Sequence, residues 1–167
     1  MPKASKNAPE RALLLAIIDE AYNKRAWHGP SLRGCIRRVT PAIAAWRPRP
    51  GRRNIAEILV HCAYWKYAVR RRIRGDKRGS FPLKGSNWFE LPRRLTKREW
   101  QAYVRLLDEQ HHQLRDTLAS AAWSRLRNDG NGIAPTAAHV HGIAMHDLYH
   151  AGQIQTIKAL HKQASAG

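Results

Sequence analysis

Four long stretches of this chain carry apolar residues at intervals of three and four, and none shows the strict alternation that a half-buried strand requires. That pattern restricts the chain to packing helix against helix. The first stretch opens at Pro9 and runs to about Ala26, with Leu13, Leu14, Ile17, Ile18 and Ala21 as its apolar face. Gly29 and Pro30 break it, Ser31 can cap a short helix that ends near Val39-Thr40, and Pro41 can start one more turn before Trp46. Asn54 followed by Glu57 has the spacing of a capping box, so a second long helix should begin there and carry Ile58, Leu59, Cys62, Trp65, Val69 and Ile73 inward as far as Arg74. Thr96 with Glu99 repeats the device and starts a third helix to about Leu126. After a turn over Asn128 to Gly132, Pro135-Thr136 can start the fourth, to about Lys162.

Between the second and third helices, Gly75 to Pro92 reads as a long loop anchored by Phe81, Trp88 and Phe89. Loops of this length in small domains are commonly functional or act as lids. The expected fold is therefore all-α: a four-helix bundle with short extra helices and a long loop between helices two and three. With 167 residues, one domain over 1–167 is expected, residues 1–8 forming a flexible polar lead.

Composition narrows the setting more than the function. No apolar run reaches the roughly 20 residues that span a bilayer, and the opening MPKASKNAPE lacks the apolar centre of a secretory signal, so a cytoplasmic protein without a membrane partner is expected. Cys35 and Cys62 are too few for a disulfide framework and read as reduced core residues. A net charge of +18 is the anomaly. Its clusters at Arg47 to Arg53, Arg70 to Arg78 and Arg93 to Arg98 suit either a solvated basic surface or attraction of anions. They lack an aromatic-interleaved motif, so nucleic acid is not the favoured partner.

The chemistry concentrates in His146-Asp147-Leu148-Tyr149-His150-Ala151-Gly152-Gln153. Histidines four apart lie one helical turn above each other and can converge on one cation; Gln153 falls near the same line. Ile143, Ile154 and Ile157 flank them at helical spacing, and polar rings among core positions need partners. His61, on the second helix beside Ile58 and Trp65, supplies a third imidazole from a facing helix. Three histidines satisfying one another through water is the alternative to a metal site.

The stretches Asn54-Ile55-Ala56-Glu57-Ile58-Leu59-Val60-His61-Cys62-Ala63 and His146 to Ile154 together resemble the DinB-like (DinB/YfiT) superfamily, in order and over most of the chain. The resemblance implies a four-helix bundle, usually dimeric, with a divalent metal, zinc or nickel most commonly, on His61, His146 and His150. It also implies enzymes that use a low-molecular-weight thiol to transform a small-molecule substrate, alongside members without known activity. The basic surface is not a trait of that family, and nothing in the chain identifies a thiol-binding subgroup.

A three-histidine site with an open position could take a thiol as thiolate, giving a transferase or isomerase, or could activate water. For the second chemistry His146-Asp147-x-x-His150 has the form of a zinc-hydrolase helix, with Asp147 as general base. Tyr149 is a candidate acid or substrate donor, or else packs or meets solvent. Glu57 and Gln153 could orient ligand rings, although Glu57 could equally only close its capping box. Trp27, His28, Trp65 and Trp88 could line a pocket or serve as core and loop anchors. A basic bundle binding nucleic acid around a structural metal, and a member that catalyses nothing, complete the alternatives.

Overall fold

A computed structural model describes residues 8–25, 27–77, 79, 81–126 and 135–167. Its helices are α1 (Ala8–Tyr22), α2 (Leu32–Cys35), α3 (Pro41–Ala45), α4 (Ile55–Arg74), α5 (Lys97–Ser120), α6 (Trp123–Leu126) and α7 (Pro135–Ala164), with no strand among the described residues. The four long helices form the expected bundle. The α4 helix packs on α5 and α7, and α1 packs on α7 and α5, which closes a ring of four.

Local sequence accounts for the helix starts. The Asn54 side chain accepts from the Glu57 amide while the Glu57 carboxylate accepts from the Asn54 amide, and Thr96 with Glu99 makes the same reciprocal pair. Ser31 and Thr40 cap α2 and α3, with Pro41 at the first position of α3. At the far end of α4, Gly75 takes the left-handed conformation at φ 73°, which a residue without Cβ adopts freely.

Two ends differ from expectation. Helix one stops at Tyr22 rather than near Ala26, because the amides of Asn23 and Lys24 both turn back to the Asp19 carbonyl. Helix three stops at Ser120, not near Leu126: Ala121 is extended (ψ 142°), and Arg11 donates to the carbonyls of Ala119 and Ala121, satisfying the helix end from α1. Leu13, expected on the apolar face of α1, is 60% exposed. The turn at Asn128 to Gly132 and the lead at 1–7 lie outside the described residues.

The interior falls into two apolar clusters, and their membership reveals the helix directions. One gathers Ile55 to Ala63 of α4, Trp100 and Leu107 of α5, and Ala151 to Ile157 of α7. The other gathers Leu14 and Ile18 of α1, Val69 and Ile73 of α4, Leu114 and Leu118 of α5, and Val140 to Ala144 of α7. Thus α4 and α5 run from the first cluster to the second, whereas α7 runs back. Because α4 and α5 are parallel, the chain between them must return the length of α4, about 30 Å at 1.5 Å per residue. Gly75 to Thr96 is that return, with Phe89 buried and Phe81, Trp88, Leu91 and Leu95 laid against the first cluster.

Between the two clusters lies a polar layer: Lys66 on α4, Gln110 and His111 on α5, and Asp147 and His150 on α7, all buried. His111 stacks on Tyr22 with ring centroids 3.7 Å apart, and its Nε2 lies 3.4 Å from the Asp19 carboxylate. Burial first, and then the charges of Lys66, His112 and Arg115, push its pKa down to about 2, so it is neutral in the native state. The unfolded chain takes up this proton near pH 6.5 and the native one does not, so acidification below 6.5 favours unfolding. His111→Phe should therefore show a shallower loss of melting temperature between pH 6.5 and 4 than the parent; an unchanged slope would mean that His111 is protonated in the fold.

Candidate metal centre

His61 lies two turns into α4, and His146 and His150 lie one turn apart on the face of α7 that meets it. Their Nε2 atoms converge: His146 stands 3.0 Å from His61 and 3.1 Å from His150. On two of the three rings the outer nitrogen is already committed, whereas Nδ1 of His146 has no hydrogen-bond partner among the described residues. His61 Nδ1 donates to the Asn87 carbonyl at 2.8 Å, and His150 Nδ1 donates to Gln153 Oε1 at 2.8 Å. A neutral imidazole carries one hydrogen, so Nε2 of both rings presents a lone pair.

Burial keeps the rings neutral, moving the pKa of His61 to about 4 and of His146 to about 3, and lowering that of His150. A single hydrogen on His146 Nε2 could serve one neighbour well but not two. Three imidazole nitrogens sharing a zinc ion at about 2.0–2.1 Å in tetrahedral array would stand about 3.3 Å apart. The donor set, its tautomers and its spacing therefore fit a divalent cation, and the three residues form a group that could hold one.

The surrounding side chains constrain these rings. Trp88 stacks on His61 (centroids 3.9 Å, 7° between planes), and the Arg53 guanidinium lies 4.7 Å from the Trp88 centroid. Trp65 donates from its indole to Asn87 Oδ1 at 3.0 Å, tying α4 to the loop segment that holds His61. Asn87 itself adopts φ 62°, a left-handed conformation that asparagine tolerates better than most residues. Gln153 passes its amide nitrogen on to the Tyr149 hydroxyl at 3.0 Å; Tyr149 is 65% exposed. Beside His150 opens a cavity of about 850 Å³, lined by Arg49, Arg52, Arg53, Ile58, Trp88, Tyr149, Gln153 and Ile157 among others.

Of the remaining candidates only Asp147 stands close to the histidines, grouped with Cys62 and His146 on the side of α7 towards α4. Glu57 closes the capping box and forms a bidentate pair with Arg47 (2.9 and 2.5 Å), which occupies its carboxylate. Asp147 is buried and ion-paired with Lys66 on α4, while its other oxygen has no hydrogen-bond partner among the described residues. Desolvation raises its pKa to about 6 against the opposing pull of Lys66. The expectation that Trp27 and His28 line a pocket is not met: Trp27 is 97% exposed, His28 is exposed, and neither lines the cavity beside His150, because α1 ends at Tyr22 and they follow on the exposed connection to α2.

Two participants were not anticipated. Asn87 acts through its backbone carbonyl, for which its side-chain identity is no signal. Lys66 carried a usable one, since it lies four residues after Cys62 and three before Val69, on the inward line of α4.

A bundle that gathers imidazoles from two facing helices around a small cavity belongs to the class whose sites are built inside the helical core. The family model of the DinB superfamily matches residues 25–154, and the chain belongs to that superfamily. No curated protein and no solved structure matches it. No helix among the described residues is long and apolar enough to cross a membrane.

The Lys66–Asp147 pair has a measurable weight. Lys66→Met strands a buried carboxylate and should cost about 3–5 kcal/mol of unfolding free energy in urea titrations, whereas the double change Lys66→Met with Asp147→Leu should recover most of it. Equal losses in the single and double variants would deny the coupling.

Proposed function

We propose that this protein is a divalent-metal-dependent enzyme of the thiol-dependent transferase or isomerase type, with His61, His146 and His150 as the protein ligands, zinc or nickel as the metal, and a small-molecule substrate entering beside His150. The observation that carries the reading is the convergence of three Nε2 atoms whose partner nitrogens on His61 and His150 already donate to Asn87 and Gln153. A divalent ion held there supplies Lewis acidity at the position that three nitrogen donors leave open.

The chain's own residues do the rest. Asn87 and Gln153 hold the tautomers in which Nε2 is the donor atom, and burial keeps those nitrogens unprotonated at neutral pH. Trp88 covers the face of His61 and narrows water's approach from the loop side. Tyr149, held through Gln153 and exposed on the cavity wall, can donate to a substrate. In this reading Asp147 holds Lys66 and braces α7 against α4. That engagement disfavours the hydrolase alternative, in which its carboxylate must face the reacting water.

Protein purified without an affinity tag should carry close to one equivalent of divalent metal, and His61→Ala, His146→Ala or His150→Ala should each abolish it. Gln153→Ala should weaken metal affinity by about 10–100-fold without unfolding the bundle. Absence of stoichiometric metal, together with no rise in melting temperature on adding zinc or nickel, would overturn the proposal.

A further inference from the structure

The segment Arg47 to Arg53 carries four arginines, and the structure divides their labour. Arg47 is spent on architecture: it donates to the Arg52 carbonyl at 2.5 Å and to both oxygens of the buried Glu57, so the loop is stapled to the start of α4. The Arg52 amide closes a turn on the Arg49 carbonyl at 3.2 Å, with Gly51 at φ 76° making the bend. Two prolines stiffen the same stretch. Arg49 and Arg52 are left exposed and make no ion pair among the described residues. Arg53 lies over Trp88, and only 3.8 Å separates it from Glu57.

All three of these arginines line the cavity of about 850 Å³ that opens beside His150, together with apolar side chains that include Ile58 and Ile157. A volume of this size suits a small molecule rather than a polymer, which would need a continuous groove. No carboxylate lines the cavity, and of the three only Arg53 has one near it, the buried Glu57 at 3.8 Å, which is already shared with Arg47. Guanidiniums held on a braced loop recognise planar or tetrahedral anions through paired hydrogen bonds at little ordering cost.

We infer that Arg49, Arg52 and Arg53 form an anion-recognition subsite, which seats a carboxylate- or phosphate-bearing small molecule with its reactive end at the three histidines. This deepens the proposed function and rests on it for the position of the reactive end, but not for the binding of the anion. The subsite also gives part of the +18 charge a specific task at the cavity mouth.

Calorimetry on the full chain tests it with five probes. Mercaptosuccinate should bind the zinc-loaded protein at least about tenfold tighter than 2-mercaptoethanol, and the double variant Arg49→Gln with Arg52→Gln should lose about tenfold or more for mercaptosuccinate. Affinity for 2-mercaptoethanol and metal content should be unchanged. Metal-free protein titrated with succinate and with inorganic phosphate reads the guanidiniums alone: binding that drops in the double variant supports the subsite even if zinc does not bind, and the tighter of the two anions identifies carboxylate or phosphate. Equal affinity for the two thiols, retention of affinity in the double variant, or failure of both anions to bind would overturn the inference. So would single-stranded oligonucleotide binding that falls equally in the double variant and in an Arg93→Gln, Arg94→Gln control, because the charge would then serve a polyanion surface.

Discussion

Burying polar groups in the middle of a helical bundle costs free energy unless each finds a partner, and this chain does so on three helices at one level. Lys66, His111, Asp147 and His150 separate two apolar clusters that could otherwise merge. The layer is only partly self-satisfied. Lys66 and Asp147 neutralise each other, and His111 rests on Tyr22 and Asp19, yet one nitrogen of His146, one of His111 and one oxygen of Asp147 lack partners among the described residues. The Lys66–Asp147 pair ties α4 to α7, and His111 ties α5 to α1 through Tyr22 and Asp19, so neither pair of helices can slide in register without breaking a contact of this layer.

Register in turn positions the imidazoles. His61 approaches from α4, while His146 and His150 sit on α7, next to and three residues after the anchored Asp147. The ion pair and the histidine cluster are thus neighbours on the same two helices. The ion pair holds the backbones; Asn87 and Gln153 hold the rings. Two kinds of positioning, one by charge and one by hydrogen bond, act on atoms a few ångströms apart.

Much of this was legible in the chain. The capping boxes at Asn54–Glu57 and Thr96–Glu99 are local chemistry and formed as read. The H-x-x-x-H-x-x-Q spacing placed three groups on one face because a helix has only one period. The end of α5 was not legible, because it depends on Arg11, more than a hundred residues earlier, donating to its last carbonyls. Nor was the role of Asn87, whose contribution is a backbone oxygen, or the outward placement of Trp27, since an aromatic residue carries no mark of which side it will face. Glu57 shows the limit from the other direction: the same carboxylate that closes the helix start also receives Arg47, a pairing that spacing alone could not disclose.

The parallel run of α4 and α5 has a consequence for how this site can vary. The strand of chain that connects them has to travel back along the bundle, and in doing so it lays Asn87 and Trp88 against His61. Its minimum span is dictated by helix geometry, so shortening it would pull these residues away from the ring. Diversification of the cavity wall on this side is therefore confined to exchange of side chains along a path of nearly constant length, while the adjoining wall, built on the Arg47 to Arg53 turn, spans no bundle height and answers in length only to its own anchor, the pairing of Arg47 with Glu57.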